Sequence, residues 1–494
     1  MKTYILSIDQ GTTGTTAALI DADDFSFIAE GSEDFRQIFP QLNHVEHDLN
    51  DIWKSVENTV SRLLRNHSIK SYQIRCIGIT NQRETTCPFR RDGTPVSRAI
   101  VWQDRRTADY CTSLKRHAKK VRSLTGLPIN PYFSATKMNW LLENDERVRA
   151  AARQDDLLLG TIDSFLLYKL TGGAVFATEA SNASRTLLMN IETCNWDNSL
   201  LKLFRVDKKF LPEIKNSMGN FGSTKNLTFL PDGIPITGIL GDQQAALLGQ
   251  AGTNPGDMKC TYGTGAFLLL NIGRKIKFSK NGLLTTVAFK YKNKPCYALE
   301  GSCYIAGAAV QWLRDNLGII SSAGEIEALA NEIKSPEEIR SLFFMPFFTG
   351  IGAPYWNSRA TGVILGLGRD TQKKHLARAC IEGIAFSVND LTAAFGKDAG
   401  IRLKRLNVDG GAVVNNLLMQ TQADVCNIEI SRPIVIETTV YGAGLAAAIG
   451  MDILDLKSLA KFRHEDRRFI PQKSNISFYN AKKIEWSKLI KKLW

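Results

Sequence analysis

The chain has 494 residues, of which 44% are apolar and 22% are charged, and its net charge at pH 7 is +13. This length predicts two or three domains, and the composition is typical of a globular enzyme. No apolar run is as long as a membrane span and no amino-terminal signal sequence is evident, so we expect a cytoplasmic protein without stable membrane association. Nine cysteines without Cys-x-x-Cys spacing indicate reduced thiols.

The positive charge is concentrated at the carboxyl terminus, where residues 455–494 hold 11 Lys/Arg and 4 Asp/Glu. These charges alternate with apolar residues and predict a final amphipathic helix with a solvated basic face. Because the rest of the chain shows no basic patch interleaved with aromatics, we expect no nucleic-acid binding. The apolar residues assigned to this helix are Ile484, Trp486, Leu489, Ile490 and Leu493.

The first predicted element is a strand, a tight turn and a second strand. Apolar runs at residues 4–8 and 17–20 flank a turn rich in glycine and threonine. The glycines allow close approach of a ligand, and the hydroxyls and amides suit phosphate oxygens. Asp9, at the end of the first run, is positioned to hold a hydrated Mg²⁺. A polar hairpin without a ligand is the alternative.

A helix at residues 49–66 and a buried strand at 74–80 are predicted next, and the strand ends in six consecutive polar residues. Ligands bind at the carboxyl edge of open α/β sheets. Arg83 and Glu84 at this edge place a donor fork beside an acceptor, which suits adjacent hydroxyls; an exposed ion pair is the alternative. Trp102 ends the next apolar run, either as the floor of a polyol pocket or as a core residue.

The opening pattern recurs in the second half. Residues 235–241 predict a strand followed directly by Asp242 and a helix. The positive end of the helix dipole would lie at the start of that helix and attract an incoming anion. Residues 258–272 then predict a strand, a Gly/Thr turn and a strand. Two such hairpins predict two similar α/β domains that face a shared cleft.

Two residue pairs further along the chain have helical spacing. Gly307 and Gln311 are four apart, as are Gly411 and Asn415 at the start of a helix predicted at 412–420. Each pair either opens room for a base or ribose or reflects close packing beside a surface amide. Residues 442–447 match Gly-x-Gly-x-x-Ala without a βαβ context and predict a tightly packed helix instead; no P-loop sequence occurs.

The order and spacing of these motifs resemble the FGGY family of carbohydrate kinases, and within it the glycerol kinases. The resemblance extends from about residue 4 to about residue 479. It implies an α/β fold of two actin/ribonuclease H-like domains, residues 1–247 and 248–494, each a mixed β-sheet flanked by helices, with the active site in the cleft between them. The matching motifs lie at residues 9–13, 45–48, 78–86, 131–134, 241–246, 261–265, 350–356 and 409–413.

The resemblance also implies a reaction, in which ATP phosphorylates glycerol to sn-glycerol 3-phosphate in glycerol catabolism. ATP and Mg²⁺ are the implied cofactors, and a homo-oligomer, either a dimer or a tetramer, is expected. Asp242 is the implied general base, and Asp9 and Asp242 are the implied Mg²⁺ ligands, through water. The implied glycerol contacts are Arg83, Glu84, Trp102, Tyr132, Asp242, Gln243 and Phe267. The implied nucleotide contacts are Thr12, Thr13, Gly14, Thr16, Thr264, Gly307, Gln311, Gly411 and Asn415.

The sequence departs from the family pattern at two places. Thr16 stands where many relatives carry a basic residue, so either another Lys or Arg substitutes or turnover is weaker. Residues 230–233 include neither the arginine with which some bacterial relatives bind fructose 1,6-bisphosphate nor the histidine that is phosphorylated in others, and we expect neither control. The alternatives are an FGGY kinase for another polyol or ketose and a non-catalytic nucleotide-binding regulator.

Overall fold

The computed structural model describes residues 2–494. Its strands are β1 (Tyr4–Gln10), β2 (Gly14–Asp21), β3 (Phe27–Asp34), β4 (Glu46–His47), β5 (Ile74–Asn81), β6 (Thr86–Arg90), β7 (Ala99–Ile100), β8 (Leu157–Thr161), β9 (Ala177–Glu179), β10 (Met189–Asn190), β11 (Asn195–Trp196), β12 (Glu213–Lys215), β13 (Ile236–Gly241), β14 (Met258–Tyr262), β15 (Ala266–Gly273), β16 (Leu284–Tyr291), β17 (Lys294–Cys303), β18 (Phe343–Met345), β19 (Val363–Leu365), β20 (Arg405–Asp409), β21 (Glu429–Pro433) and β22 (Glu465–Phe469).

The α-helices are α1 (Leu49–Asn66), α2 (Ala108–Ser113), α3 (Ala118–Thr125), α4 (Ser134–Asn144), α5 (Glu146–Arg153), α6 (Ile162–Leu170), α7 (Ala180–Ala183), α8 (Asn198–Phe204), α9 (Asp242–Gly249), α10 (Gly307–Asp315), α11 (Glu325–Ala330), α12 (Lys373–Ala399), α13 (Asn416–Cys426), α14 (Thr438–Gly450) and α15 (Lys473–Leu493).

Two mixed sheets form the centre of the molecule. Five strands of the first lie in the order β13-β5-β1-β2-β3, and seven strands of the second lie in the order β16-β17-β15-β14-β20-β21-β22. Each sheet contains one of the predicted hairpins, β1–β2 or β14–β15, and the first strand of each hairpin pairs in parallel with a neighbour, β5 or β20. The predicted α/β fold with mixed sheets is therefore confirmed, as is the helix predicted at residues 49–66.

The register of the first sheet brings three strand ends together. Asn81, the last residue of β5, pairs with Gln10 at the end of β1 and with Gly241 at the end of β13. Since these strands run parallel, the segments that follow them emerge at one edge of the sheet. This edge therefore collects the Gly/Thr turn, the polar segment after β5 and the first residue of α9.

Helices α9 and α14 pack against each other between the two sheets, α14 on the first sheet and α9 on the second. Small residues allow this close approach: a Cβ on Gly442 would lie 1.9 Å from the carbonyl oxygen of Ala245, and one on Gly78 would lie 2.1 Å from that of Ala443. Residues 442–447 thus form the tightly packed small-residue helix that the sequence predicts. The apolar core around this helix pair joins side chains of both sheets, such as Leu240 and Leu269.

The predicted carboxyl-terminal helix is present as α15, but its predicted apolar face is partly wrong. Ile484 is 60% exposed and Leu493 is 39% exposed. The side chains that pack inward recur at helical spacing, but their series begins at Phe478, upstream of the predicted face. The reason is that a basic residue belongs to the buried face: Lys482 pairs with Glu382 at 2.7 Å. The buried residues of α15 are Phe478, Tyr479, Lys482, Trp486 and Ile490.

All nine cysteines are unpaired thiols, as predicted. No helix within residues 2–494 has the length and apolar composition needed to cross a bilayer.

Because Gly78 lies against the backbone of α14, we expect Gly78→Ala to push this helix away from the first sheet. Overpacking of this kind costs about 1–3 kcal/mol, and differential scanning calorimetry measures it as a lower unfolding temperature. Gly324→Ala is the matched control, since a Cβ there has open space around it. Equal unfolding temperatures for the two variants would contradict the role assigned to the helix pair.

Candidate active site

The two hairpins face each other across a group of aromatic side chains. Trp102 donates a hydrogen bond from Nε1 to Oγ1 of Thr12 in the first turn, over 2.9 Å. Its ring lies 5.5 Å from the Tyr132 ring and 6.4 Å from the ring of Phe267, which belongs to the second hairpin. The structure therefore brings together Trp102, Tyr132 and Phe267, three of the glycerol contacts that the family resemblance implies.

The first turn, residues 11–13, is held tightly against neighbouring backbone. The amide of Gly11 donates to the carbonyl oxygen of Gly14 over 2.9 Å. A Cβ on Gly14 would lie 2.8 Å from the carbonyl oxygen of Glu33, so that only glycine fits. Thr13 at the tip of the turn is exposed, which leaves its hydroxyl and amide free to meet a ligand.

A series of alternating charges lies beside the aromatic pocket, and we call it the charge chain: Asp242, Arg83, Glu300, Arg185 and Glu84. Arg83 forms a bidentate pair with Glu300, with N–O distances of 2.7 and 2.9 Å. Its Nε lies 2.9 Å from Oδ1 of Asp242. Arg185 continues the series, 3.1 Å from Glu300 and 2.6 Å from Glu84.

Only one member of the charge chain meets solvent. The side chain of Asp242 is 29% exposed, whereas those of the other four are at most 2% exposed. Burial opposes ionisation of Glu300, but Arg185 and Arg83 outweigh it and hold the pKa of Glu300 below its usual value. Burial raises the pKa of Glu84 despite Arg185 and Arg83. Arg83 and Glu84 thus form buried ion pairs with other side chains rather than the exposed ion pair of the alternative interpretation.

The backbone at Glu84 is also unusual, because its φ of +63° lies in the left-handed region. A non-glycine residue in this region carries strain that the surrounding structure must offset. Its side chain is fixed by Arg185, and its carbonyl oxygen accepts from Oγ of Ser134 over 3.0 Å. These contacts hold the Glu84 carboxylate beside the pocket.

Asp242 is the first residue of α9, and both of its protein contacts use the same oxygen. Oδ1 accepts from the amide of Gln243 over 2.6 Å and faces Arg83. Oδ2 has no hydrogen-bond partner among the residues that the structure describes, 2–494. One carboxylate oxygen is therefore fixed, and the other is left without a protein partner on a side chain that is 29% exposed.

Asp9 lies at the end of β1, directly across the ladder from Thr16. Its Oδ1 is buried and has no hydrogen-bond partner within residues 2–494. Burial raises the pKa of Asp9 to about 8, and the carboxylates of Asp242 and Glu437 add to this effect. An unpartnered oxygen among carboxylates is the environment that a hydrated divalent cation would stabilise, so the residues fit Mg²⁺.

Gln243 is fixed by a buried cation. The ammonium of Lys259 donates to Oε1 of Gln243 and, over 2.7 Å, to Oγ1 of Thr261 in the second hairpin. Because its Oε1 is engaged, the amide of Gln243 keeps its Nε2 donors for a ligand. Lys259 also interacts electrostatically with Asp409 and Asp242, which places positive charge near these two carboxylates.

The predicted nucleotide residues of the second half adjoin the second hairpin. The amide of Gly307, the first residue of α10, donates to the carbonyl oxygen of Gly263 over 3.0 Å, and Gln311 is exposed one turn later. The carbonyl oxygen of Thr264 accepts hydrogen bonds from the amides of Ala306 and Ala308, over 2.8 and 3.1 Å. These contacts fix the start of α10 against the Gly/Thr turn.

The helix predicted at residues 412–420 is wrong at its start. Residues 411–414 form a short 3₁₀ turn, and Asn415 caps α13 by accepting from the amide of Leu418 over 2.8 Å. Asparagine favours this capping position because its side chain replaces a missing intrahelical acceptor. Gly411 therefore lies in the 3₁₀ turn and Asn415 caps α13, so the two residues do not share one helix face.

Sequence reasoning missed Arg185, Glu300 and Lys259. The signal for Glu300 and Lys259 is a charge inside a strand that is otherwise apolar, since residues in buried strands are seldom charged without a partner. No local pattern indicates Arg185, which follows the four-residue helix α7.

Comparisons with known proteins extend over almost the whole chain. The model for the FGGY family of carbohydrate kinases, N-terminal domain, matches residues 4–249, and the model for the C-terminal domain of that family matches residues 258–451. A glycerol kinase from Bdellovibrio bacteriovorus is 48% identical over 473 residues, which cover 94% of this chain and 95% of the relative.

Solved structures are similar over the same extent. The crystal structure of Plasmodium falciparum glycerol kinase with ADP has a TM-score of 0.90 and 35% identity, and the match covers 99% of this chain and 98% of that one. Gluconate kinase from Lactobacillus acidophilus has a TM-score of 0.88 at 21% identity, over 100% of this chain and 98% of that one. At that identity the second match shows the shared fold alone.

We expect Glu300→Gln to destabilise the protein strongly, because Arg83 and Arg185 would then face each other without the carboxylate between them. Breaking a buried ion pair costs about 3–5 kcal/mol, which appears in a thermal scan as a markedly lower unfolding temperature. Glu146→Gln is the control, since Glu146 pairs with Arg149 and Arg153 on the surface and its loss should leave the unfolding temperature nearly unchanged. A similar effect of both substitutions would argue against the charge chain.

Proposed function

We infer the activity of this chain from its family: it belongs to the FGGY carbohydrate kinases, whose two domain models together match most of its length. Within that family its relatives at 44–48% identity are glycerol kinases. The chain accordingly transfers the γ-phosphoryl group of ATP to glycerol and forms sn-glycerol 3-phosphate and ADP. The geometry that supports this best is that of Asp242, whose Oδ1 is held by Arg83 and the Gln243 amide and whose Oδ2 has no partner within residues 2–494.

We propose that Asp242 is the general base. Oδ1 is fixed by Arg83 and the Gln243 amide, so Oδ2 can accept the proton of a glycerol hydroxyl. As the oxygen of this glycerol hydroxyl bonds to the γ-phosphorus, the bond from the γ-phosphorus to the bridging oxygen of ADP breaks, and ADP keeps the electron pair. In loose phosphoryl transfer the proton moves late, so an ordinary carboxylate is sufficient.

The proposed glycerol pocket has two unlike sides. Arg83, Glu84, Asp242 and Gln243 contact the hydroxyls, and the rings of Trp102, Tyr132 and Phe267 cover the carbon backbone. A small triol suits this arrangement because its hydroxyls can occupy the charged side while its CH and CH₂ groups lie on the rings. The Tyr132 and Phe267 rings lie 5.5 and 6.4 Å from the Trp102 ring, and this clustering supports a small substrate over a longer sugar.

We propose that the two turns bind the phosphates of ATP. Thr12, Thr13, Gly14 and Thr16 belong to the first hairpin and Thr264 to the second, and their amides and hydroxyls can replace phosphate hydration. The adenosine contacts proposed on the far side of the second hairpin are Gly307, Gln311, Gly411 and Asn415. The division of the chain near residue 247 into two domains, which could close on ATP and exclude water, belongs to the same proposal.

Asp9, and Asp242 through water, would hold Mg²⁺ with the nucleotide. The unpartnered Oδ1 of Asp9 and the raised pKa of that carboxyl support this assignment. When bound, the ion neutralises charge on the β- and γ-phosphates. The protein contributes the negative potential that attracts the ion and the rigid strand end that fixes its distance from Asp242.

We propose a cytoplasmic homo-oligomer, either a dimer or a tetramer, that binds neither nucleic acid nor membranes. We also propose that fructose 1,6-bisphosphate and histidine phosphorylation do not control it, because residues 230–233 lack the arginine and the histidine concerned. Lys259 is our candidate for the cation that Thr16 lacks, since it interacts with Asp409 and Asp242.

We expect Asp242→Asn to lower kcat by about 10²–10⁴-fold, because an amide cannot accept the hydroxyl proton. A coupled assay of ADP release measures this, and Asp109→Asn, at an exposed position on α2, is the control with unchanged activity. The same assay compares glycerol with dihydroxyacetone, erythritol, xylulose and gluconate at equal concentration. An unimpaired Asn variant would refute the proposed base, and a clear preference for another substrate would refute the assignment to glycerol.

A further inference from the structure

Three lysines within residues 2–494 are almost completely buried: Lys137, Lys259 and Lys482. Lys482 is neutralised by Glu382, at 2.7 Å. Lys137 is different, because its side chain is 0% exposed and its ammonium contacts only uncharged groups. Burying a cation without a counter-ion in contact is costly, and burial lowers the pKa of Lys137 to about 7 although the more distant Glu84 and Asp104 oppose this shift. The position of this ammonium therefore calls for an explanation.

The acceptors of Lys137 are three consecutive backbone carbonyl oxygens. Nζ donates to Pro131 over 2.7 Å, to Tyr132 over 2.6 Å and to Phe133 over 3.2 Å. An ammonium has three donors, so its capacity matches this set. All three carbonyls belong to the segment that precedes α4, the helix that carries Lys137. The segment is therefore curled around the ammonium, with Tyr132 at its centre.

Further contacts fix the same segment to the proposed glycerol pocket. The amide of Tyr132 donates to Oδ1 of Asn130 over 3.0 Å, and Oγ of Ser134 donates to the carbonyl oxygen of Glu84 over 3.0 Å. The Tyr132 ring packs 5.5 Å from the Trp102 ring on one side, and the Arg185 guanidinium lies 5.5 Å from it on another. The backbone conformation that Lys137 stabilises thus determines the position of the Tyr132 ring, which is one wall of the pocket.

We propose that Lys137 is a positioning residue for the glycerol pocket: by binding the carbonyls of residues 131–133 it holds the Tyr132 ring in place, and so sets the affinity for glycerol without touching the substrate. This inference rests on the proposed function, because it assigns the pocket to glycerol. A role in fold stability alone is the competing explanation, since a buried lysine with three hydrogen bonds stabilises any segment that it binds.

The experiment compares two buried lysines. Lys137→Met keeps the length of the side chain and removes the donors, and Lys482→Met is the control, equally buried but on α15 and paired with Glu382. For Lys137→Met we expect the KM for glycerol to rise about tenfold to a hundredfold, because small displacements of positioning groups have effects of this size. The KM for ATP and kcat should stay within about twofold, which is the pattern for loss of binding that the ground state and the transition state share equally. Lys482→Met should lower the unfolding temperature and leave both KM values unchanged.

A second pair of variants tests whether the effect passes through Tyr132. Tyr132→Leu should also raise the KM for glycerol, and adding Lys137→Met to it should raise this KM little further, because residues that act as one unit are not additive. Lys137→Arg keeps the positive charge, so this variant should fold. Its planar donor fork cannot donate to all three carbonyl oxygens around one nitrogen, so its KM for glycerol should still be raised.

Three results would overturn the proposal: an unchanged KM for glycerol in Lys137→Met, full additivity with Tyr132→Leu, or loss of folded protein in both Lys137 variants while Lys482→Met stays folded. Failure of the proposed function is a separate outcome, visible as a wild-type protein that does not phosphorylate glycerol. In that case the same comparison is made with the preferred substrate from the panel.

Discussion

The charge chain is the interaction on which the rest of the site depends. A carboxylate or guanidinium in the interior is tolerated only when an opposite charge and hydrogen bonds replace its hydration. Glu300 meets this condition only if Arg83, from the segment after β5, and Arg185, from the segment after α7, both reach it. Since Glu300 lies on β17 of the second sheet, its pairing ties the two sheets together at the cleft. Asp242 is the one member whose side chain meets solvent, and it is the proposed base.

The packing of α9 against α14 makes this arrangement possible. Gly78, Gly442 and their neighbours allow the two helices to fill the space between the sheets at backbone contact distance. Asp242 is the first residue of α9, so the same packing that joins the sheets also fixes the proposed base. Local side-chain contacts then refine the pocket, through Lys259 for Gln243 and through Lys137 for Tyr132. Stability and the proposed catalysis therefore depend on the same contacts.

The sequence predicts the local parts of this structure well. Both hairpins, helix α1 and the Asp at the start of α9 arise from short apolar runs and turn residues, whose signals lie within a few positions. The charge chain could not be predicted, because Arg83 and Glu300 are 217 residues apart and Glu84 and Arg185 are 101 apart. The exposure of Ile484 and the capping role of Asn415 depend on neighbours that spacing alone does not identify. Glu300 and Lys259 are charged residues inside otherwise apolar strands, and a sequence analysis can use this pattern to identify buried charges that need a partner.

A pocket with one charged side and one aromatic side should hold glycerol in a single orientation. Glycerol is prochiral, so its two CH₂OH groups are distinguished only by an asymmetric site. The most direct measurement is the configuration of the product, determined by its oxidation with a dehydrogenase specific for sn-glycerol 3-phosphate. We expect all of the product to be oxidised. Oxidation that stops at half of the product would mean a racemic mixture and a pocket that does not orient glycerol.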